Sequence, residues 1–223
     1  HHLEHRLPAF DGGGDELAML DITATVEGRE TMLEVVKRVA AVVTVPFTVG
    51  GGIATVATAA RVLEAGATRV STSSGAFRHP EVIAEMVREF GAERVTVAID
   101  VDVNPALPSG YEVYIDGGRT ATGADAVAWA RQVDGYGVGC MLPTSKAGDG
   151  ARTGYDLPVI RHIAAAVSAP VVASGGAGTL EHFYEAVDAG AAILLAASVF
   201  HFGLIGIPEL KAYLRGRGVA VAG

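Results

Sequence analysis

The chain has very little cysteine, no basic run and no long apolar run. Cys140 is its single cysteine among 223 residues, which excludes an intrachain disulfide framework and fits a reducing, cytoplasmic location. The net charge of -8 is not offset by a basic stripe, so a nucleic-acid surface is not expected. No apolar run reaches the roughly 18–20 residues of a membrane span, so no membrane association is expected. The histidines show no ligand spacing, and neither a metal nor another cofactor is expected.

What the chain does contain is typical of a compact α/β enzyme. Half of its residues are hydrophobic, 29 are glycine, and 19% are charged. Residues 1–5, His-His-Leu-Glu-His, resemble the remnant of an affinity tag. Residues 6–223 are long enough for one large domain with a full-sized core, and we predict a single domain there.

An internal repeat is the strongest pattern in the sequence. Pro46–Gly52 and Glu64–Ser74 recur as Pro170–Gly176 and Asp188–Ser198, at a constant offset of 124 residues. Each copy places a glycine cluster and a small hydroxyl cluster at the ends of two consecutive predicted strands. The repeat therefore predicts a barrel that is built from two similar halves.

Short β-rich runs alternate with helical patterns along the whole chain. The predicted strands are Leu7–Asp11, Leu17–Asp21, Pro46–Val49, Arg69–Thr72, Arg94–Asp100, Gly137–Pro143, Pro170–Ala173 and Ala192–Ala196. The predicted helices are Thr31–Val42, Val56–Ala65, Glu81–Phe90, Asp125–Val133, Leu157–Val167, Leu180–Ala189 and Pro208–Leu214. This alternation predicts an α/β fold, a (βα)8 TIM barrel with its active site at the carboxyl ends of the strands. A doubly wound open sheet is the alternative, and the two-fold repeat favours the closed barrel.

The first strand-to-strand connection is too short for this fold. From Asp11 to Asp21 the chain advances 10 residues, whereas from Asp100 to Thr144 it advances 44, a difference of 34. A parallel crossover needs about a dozen residues, and only Gly12–Glu16 separates the first two predicted strands. We infer that the first βα loop and helix are missing, either deleted from the protein or left out of the sequence.

Two aspartates are the candidate catalytic residues. Asp11 and Asp100 each end a predicted strand, on opposite sides of the barrel mouth. Facing carboxylates suit an acid/base pair that works on both sides of a substrate. The alternative is that each carboxylate caps the turn or helix that follows it.

The two repeated clusters are candidate phosphate-binding sites. Glycines let backbone N–H groups approach an anion, and barrel loops commonly hold phosphates; tight turns are the alternative. The candidate residues are Gly51, Gly52, Ser73 and Ser74 in the first copy, and Gly175, Gly176, Ala197 and Ser198 in the second. Four more residues at or just past strand ends are candidate pocket residues, although Asp149-Gly150 is also a common turn dipeptide: Asp21, Thr144, Ser145 and Asp149. Lys146 is expected to be a solvated loop lysine.

Several long strings resemble one known family. They include Ala98-Ile-Asp100, Gly154-Tyr-Asp156, Ala173-Ser-Gly-Gly-Ala-Gly178 and Leu195-Ala-Ala-Ser-Val-Phe-His-Phe202, and the chain resembles the cyclase subunit of imidazole glycerol phosphate synthase, from histidine biosynthesis. The resemblance implies a lyase that cleaves and cyclises a ribulosyl bisphosphate with ammonia, which a glutaminase partner supplies. The products would be imidazole glycerol phosphate and an aminoimidazole ribotide. The resemblance assigns the catalytic aspartates to Asp11 and Asp100, phosphate contacts to Gly52, Ser73, Ser74, Gly176 and Ser198, and a substrate contact to Asp149.

The chain also departs from the family pattern at several positions. Ala147 and Ala151 stand where the family has an aspartate and a threonine, Cys140 replaces a glutamate of the ammonia gate, and Thr68 and Ala192 replace aspartates expected to face the glutaminase. These departures leave two other functions open. One is an engineered barrel that uses an aspartate to abstract a proton from a small aromatic substrate, as in a Kemp elimination. The other is a barrel that serves only as a scaffold.

Overall fold

Parallel strands that follow one another in chain order form the centre of the molecule. The computed structural model describes residues 12–21, 32–148 and 150–222. Its strands are β1 (Leu17–Leu20), β2 (Phe47–Gly50), β3 (Arg69–Thr72), β4 (Val95–Val103), β5 (Tyr111–Ile115), β6 (Thr120–Asp125), β7 (Cys140–Ser145), β8 (Val172–Ala173) and β9 (Ile193–Leu194). Parallel pairing runs from β1 through β2 and β3 to β4, then to β7, and two bridges join β7 to β8, which pairs with β9.

Helices connect these parallel strands. They are α1 (Leu33–Ala40), α2 (Val56–Glu64), α3 (Ser74–Arg78), α4 (Glu81–Phe90), α5 (Ala126–Asp134), α6 (Leu157–Ala164), α7 (Leu180–Asp188), α8 (Ser198–His201) and α9 (Ile207–Gly216). Side-chain oxygens of Thr55, Asp125, Asp156 and Thr179 accept from backbone N–H groups at the starts of α2, α5, α6 and α7, which stabilises the helix starts. This strand–helix alternation confirms the predicted α/β barrel. The predicted first strand, Leu7–Asp11, lies outside the described residues.

Apolar side chains form two layers on the two sides of the sheet. Along β4, Val95, Val97, Ile99 and Val101 are buried in the large core between strands and helices. Cys140, Leu142 and Val172 form a separate small cluster with Ala98 and Leu195 on the other, inner face of the strands. Because side chains alternate along a strand, Asp100 and Asp102 lie on the same inner face as Ala98.

A β-hairpin that the sequence analysis did not predict follows β4. β4 continues to Val103, three residues past the predicted end, and pairs antiparallel with β5, which pairs antiparallel with β6. Asp116 begins the turn between β5 and β6 with a left-handed φ of 57°. The aromatic and β-branched residues of Tyr111–Ile115, followed by Asp-Gly-Gly, are typical of a hairpin.

Other element boundaries differ from the predicted ones by at most three residues. β7 begins at Cys140 and ends at Ser145, not Gly137–Pro143, so Thr144 and Ser145 lie within the strand. α1 and α6 end at Ala40 and Ala164, short of the predicted Val42 and Val167. The short helices α3 and α8 were not predicted, because four or five residues are too few to show a helical period.

The short first connection runs beside the last helix. A Cβ at Gly13 would lie 3.6 Å from Pro208 Cγ, and Asp15 forms an ion pair with Lys211 of α9. Glu16 then accepts from the Thr48 hydroxyl and forms an ion pair with Arg69 at the amino ends of the strands. Residues 13–16 therefore follow α9 along the side of the sheet.

Candidate active site

Asp100 lies in a row of polar residues across three neighbouring strands. It is in register with Thr144 of β7, and Thr144 bridges to Ser174 just after β8. Two interstrand spacings, about 10 Å, separate the Asp100 and Ser174 backbones. Asp100 and Thr144 are half-buried, whereas Ser145 is buried and belongs to the outer side of the sheet. Asp11 and Asp149 lie outside the described residues.

Residues 50–54 and 72–75 form what we call the first cradle. The Thr72 hydroxyl donates to the Ile53 carbonyl over 2.7 Å, and this bond joins the loop after β2 to the end of β3. Gly51 has φ 96°, and a Cβ there would lie 2.1 Å from the Asp21 carbonyl oxygen. Asp21 is itself held at this edge by its N–H, which donates to the Gly50 carbonyl over 2.8 Å. Only glycine therefore fits at position 51.

The two serines of the first cradle are placed differently. Ser73 is half-buried and precedes α3. Ser74 is only 6% exposed, and its hydroxyl oxygen accepts from the Asp116 N–H of the hairpin turn over 2.9 Å. A segment distant in sequence thus closes over the first cradle.

Residues 150–154, 174–178 and 195–198 form the second cradle, which surrounds a cavity of about 140 Å³. The cavity brings together all four predicted residues of the second copy, and it is lined by Gly150, Arg152, Ser174, Gly175, Gly176, Ala177, Leu195, Ala196, Ala197 and Ser198. Gly154 donates its N–H to the Gly176 carbonyl over 2.8 Å. A Cβ at Gly176, where φ is 102°, would lie 2.0 Å from the Gly154 carbonyl oxygen, so the close approach of the two loops requires glycine.

Side chains behind the second cradle hold its loops in place. The buried Tyr155 hydroxyl donates to the Leu195 carbonyl over 2.9 Å, and burial raises the pKa of this phenol. The phenol of Tyr155 therefore stays protonated and continues to donate its hydrogen bond to the Leu195 carbonyl. The Gly178 N–H donates to His182 Nδ1 over 3.1 Å. These contacts position the backbone that surrounds the cavity.

Two cations lie near the carboxyl ends of the strands. Arg152 lines the second cradle and has a left-handed φ of 57°; a cation close to a glycine-rich anion site was an available signal. Lys146 lies in the turn after β7 and is exposed, as the sequence predicts for a solvated loop lysine. Its ammonium lies 3.4 Å from an Asp102 carboxylate oxygen and 3.6 Å from the centre of the Tyr114 ring, which is a cation–π contact.

Several other residues lie away from the carboxyl ends. Cys140 is buried in the barrel interior, with its sulfur 3.1 Å from the Thr96 hydroxyl, and burial raises the pKa of its thiol. Phe77 packs edge-to-face on Trp129 of α5, and Met141 is part of the core between sheet and helices.

Residues 12–21, 32–148 and 150–222 contain neither a metal-ion cluster nor a membrane-spanning helix. In these ranges no three or more His, Cys, Asp and Glu side chains group so as to hold a metal ion. Nor does any described helix have the length and apolar character needed to cross a bilayer.

Comparison with known proteins shows extensive similarity. Residues 9–206 match the family of histidine biosynthesis proteins. The imidazole glycerol phosphate synthase subunit HisF of Pyrobaculum aerophilum is 50% identical over 209 residues, which cover 94% of this chain and 81% of that protein. The same subunit of Thermobifida fusca is 49% identical over 212 residues, covering 94% of this chain and 83% of the relative. That of a Synechococcus is 47% identical over 216 residues, covering 95% and 81%. The matched relatives are thus longer than this chain.

Proposed function

Because the chain belongs to the histidine biosynthesis protein family, we propose that it is the cyclase subunit of an imidazole glycerol phosphate synthase. The substrate is a ribulosyl bisphosphate, which reacts with ammonia to give imidazole glycerol phosphate and an aminoimidazole ribotide. A glutaminase partner supplies the ammonia, as the resemblance implies.

The observation that carries this proposal is the second cradle. Its cavity gathers glycine backbones, Ser198 and the cation Arg152, which is the chemistry that a phosphate group requires. The first cradle repeats the glycine loop and the serines on the other side of β4. A substrate with a phosphate at each end could span the barrel mouth between the two cradles.

The position of Asp100 supports an acid/base role between the two proposed phosphate sites. β4 carries it on the inner face, with the first cradle beside β3 and the row Thr144–Ser174 leading to the second cradle. Ammonia addition, ring closure and cleavage of a C–N bond each need a proton taken from one atom and given to another. We assign Asp100 to this acid/base role. We assign Asp11, on the basis of the sequence alone, as the second member of the acid/base pair.

The two alternatives from the sequence gain no support from the described residues. Proton abstraction from a flat aromatic substrate needs an apolar surface beside the base. Phe77 and Met141 pack outside the barrel mouth, and Leu142, on the inner face, is in register with Ala98, two residues before Asp100. Close similarity to the HisF subunits favours an enzyme over a scaffold.

The test is turnover of the ribulosyl bisphosphate with an ammonium salt. Asp100→Asn removes the titrating carboxyl and keeps its shape, and we expect kcat to fall by about 10²–10⁴-fold. Asp188→Asn, on the outer face of α7 with its side chain 68% exposed, is the matched control and should leave kcat unchanged. If the wild-type protein neither turns over nor binds the bisphosphate, or if Asp100→Asn keeps full activity, the proposal is wrong.

A further inference from the structure

The hydroxyl of Ser74 is held by the hairpin turn. The Asp116 N–H donates to the Ser74 oxygen over 2.9 Å, and the serine side chain is buried. A hydroxyl that accepts one hydrogen bond can still donate its own proton, and the bond it accepts restricts the directions in which that proton points. The turn therefore sets the orientation of a group that we have assigned to phosphate binding.

Arg78, the last residue of α3, contacts the hairpin turn through Asp116. One guanidinium nitrogen, Nη2, lies 2.8 and 2.7 Å from the two carboxylate oxygens of Asp116, and the Thr120 hydroxyl donates to the same carboxylate over 3.1 Å. The pair lowers the pKa of Asp116. Ser74 and Arg78 lie on the same short helix. Arg78 contacts the side chain of Asp116, and Ser74 contacts its backbone N–H.

Lys146 holds the opposite side of the turn. A Cβ at Gly118 would lie 3.3 Å from the Lys146 side chain, and the Lys146 ammonium lies over Tyr114 of β5. The hairpin end is thereby fixed between the loop after β3 and the loop after β7.

We propose that Arg78 is a positioning residue of the first cradle, which acts through the hairpin turn at residues 116–119 to orient the Ser74 hydroxyl toward a bound phosphate. The inference rests on the phosphate role assigned under the proposed function. It predicts that weakening the Arg78–Asp116 pair lowers phosphate affinity at the first cradle alone.

The experiment is a titration with inorganic phosphate, followed by the amide resonances of Gly52 and Ser74 in the first cradle and of Gly176 and Ser198 in the second. Arg78→Met should weaken binding at the first cradle by roughly two- to tenfold, the range for one hydrogen bond, and leave the second cradle unchanged. Arg78→Lys keeps the charge but loses the planar guanidinium, and should restore part of the affinity. Arg88→Met, on the exposed side of α4, is the matched control and should change neither cradle.

A double-variant comparison separates positioning from general weakening. In a Ser74→Ala background, Arg78→Met should have no further effect on phosphate affinity, because the group that it positions is gone. Additive losses, equal losses at both cradles, or full affinity in Arg78→Met would each overturn the inference.

The outcomes also separate this inference from the proposed function. If Ser74→Ala weakens phosphate binding and Arg78→Met does not, the positioning role is wrong and the phosphate site stands. If phosphate does not perturb the first cradle at all, both the site and the positioning role are wrong. If the Arg78 effects appear but the bisphosphate is not turned over, the positioning role stands and the proposed reaction is wrong.

Discussion

Two helices and their flanking turns recur at a constant offset in the two halves of the chain. α1 and α2 recur as α6 and α7 with both bounds shifted by 124 residues, from 33–40 to 157–164 and from 56–64 to 180–188. The N-cap threonines Thr55 and Thr179 obey the same offset, as do Gly66 and Gly190, whose φ values are 108° and 102°. Sequence repetition is thus matched by repetition of helix starts, helix lengths and turns.

The halves differ in what covers the two equivalent serines. Ser74 is buried under the hairpin turn, with Arg78 beside it. Ser198, its counterpart, is half-buried beside an open cavity, and Phe202, which is 65% exposed, occupies the position of Arg78. The hairpin follows β4, whereas the corresponding connection of the other half is reduced to residues 12–16. The shared backbone forms both cradles, and the unequal loops make one covered and the other open.

The largest expected effect tests the shared backbone. Gly66→Ala would place a Cβ 2.5 Å from Ala40 Cβ, and Gly190→Ala would place one 2.9 Å from Ala164 Cβ, both at a φ that alanine rarely adopts. We expect each variant to lower the free energy of unfolding by about 3 kcal/mol, measured by urea denaturation. Gly216→Ala at the end of α9, where a Cβ would meet nothing within 4 Å, is the control and should be neutral or stabilising. If one of the two variants loses much of its free energy of unfolding and the other loses none, the two halves are not equivalent.

A smaller effect should appear at the point of difference. Ser74→Ala leaves the Asp116 N–H without the hydroxyl that it meets in the structure, and we expect a loss of about 1–2 kcal/mol in the free energy of unfolding. Ser198→Ala, at the equivalent place but beside an open cavity, should change that free energy by less than about 0.5 kcal/mol. The same urea titrations measure both variants. If Ser74→Ala and Ser198→Ala lower the free energy of unfolding equally, the hydrogen bond between Ser74 and the hairpin turn adds no stability.

The sequence predicted the shared features well and the difference poorly. Glycines 51, 52, 175 and 176 were found because a positive φ and a close approach restrict a position to one residue type, so the repeat preserves them. Alternating strands and helical periods located α2 and α4 to within a residue. Asp116 and Arg78 were missed because they lie 38 residues apart, and only the folded hairpin brings them together. Lys146 is exposed, as the sequence predicts, but its partners Asp102 and Tyr114 belong to β4 and β5, so the sequence around Lys146 does not indicate them. The roles of Asp11 and Asp149 stay predictions.

The smallest effect concerns the Arg78–Asp116 ion pair of the covered half and its loss in acid. Arg78 holds the pKa of Asp116 below its usual value of about 4, so the pair stabilises the fold above that pH and loses this contribution as the pH falls through the lower, folded-state pKa. Because the two side chains are 44% and 26% exposed, solvent screens the pair, and we expect a contribution of less than about 1 kcal/mol.

The substitution that isolates this contribution is Asp116→Asn, since asparagine tolerates the left-handed φ of the turn. The variant should be slightly less stable than the wild-type protein near neutral pH, and the difference in the free energy of unfolding should shrink as the pH falls below about 4. Asp188→Asn removes a looser pair with Arg161, at 3.7 Å, and should show a smaller difference. If the Asp116→Asn difference instead stays constant into acid, the ion pair is not what holds the turn. The asymmetry between the halves would then rest on the Ser74 hydrogen bond alone.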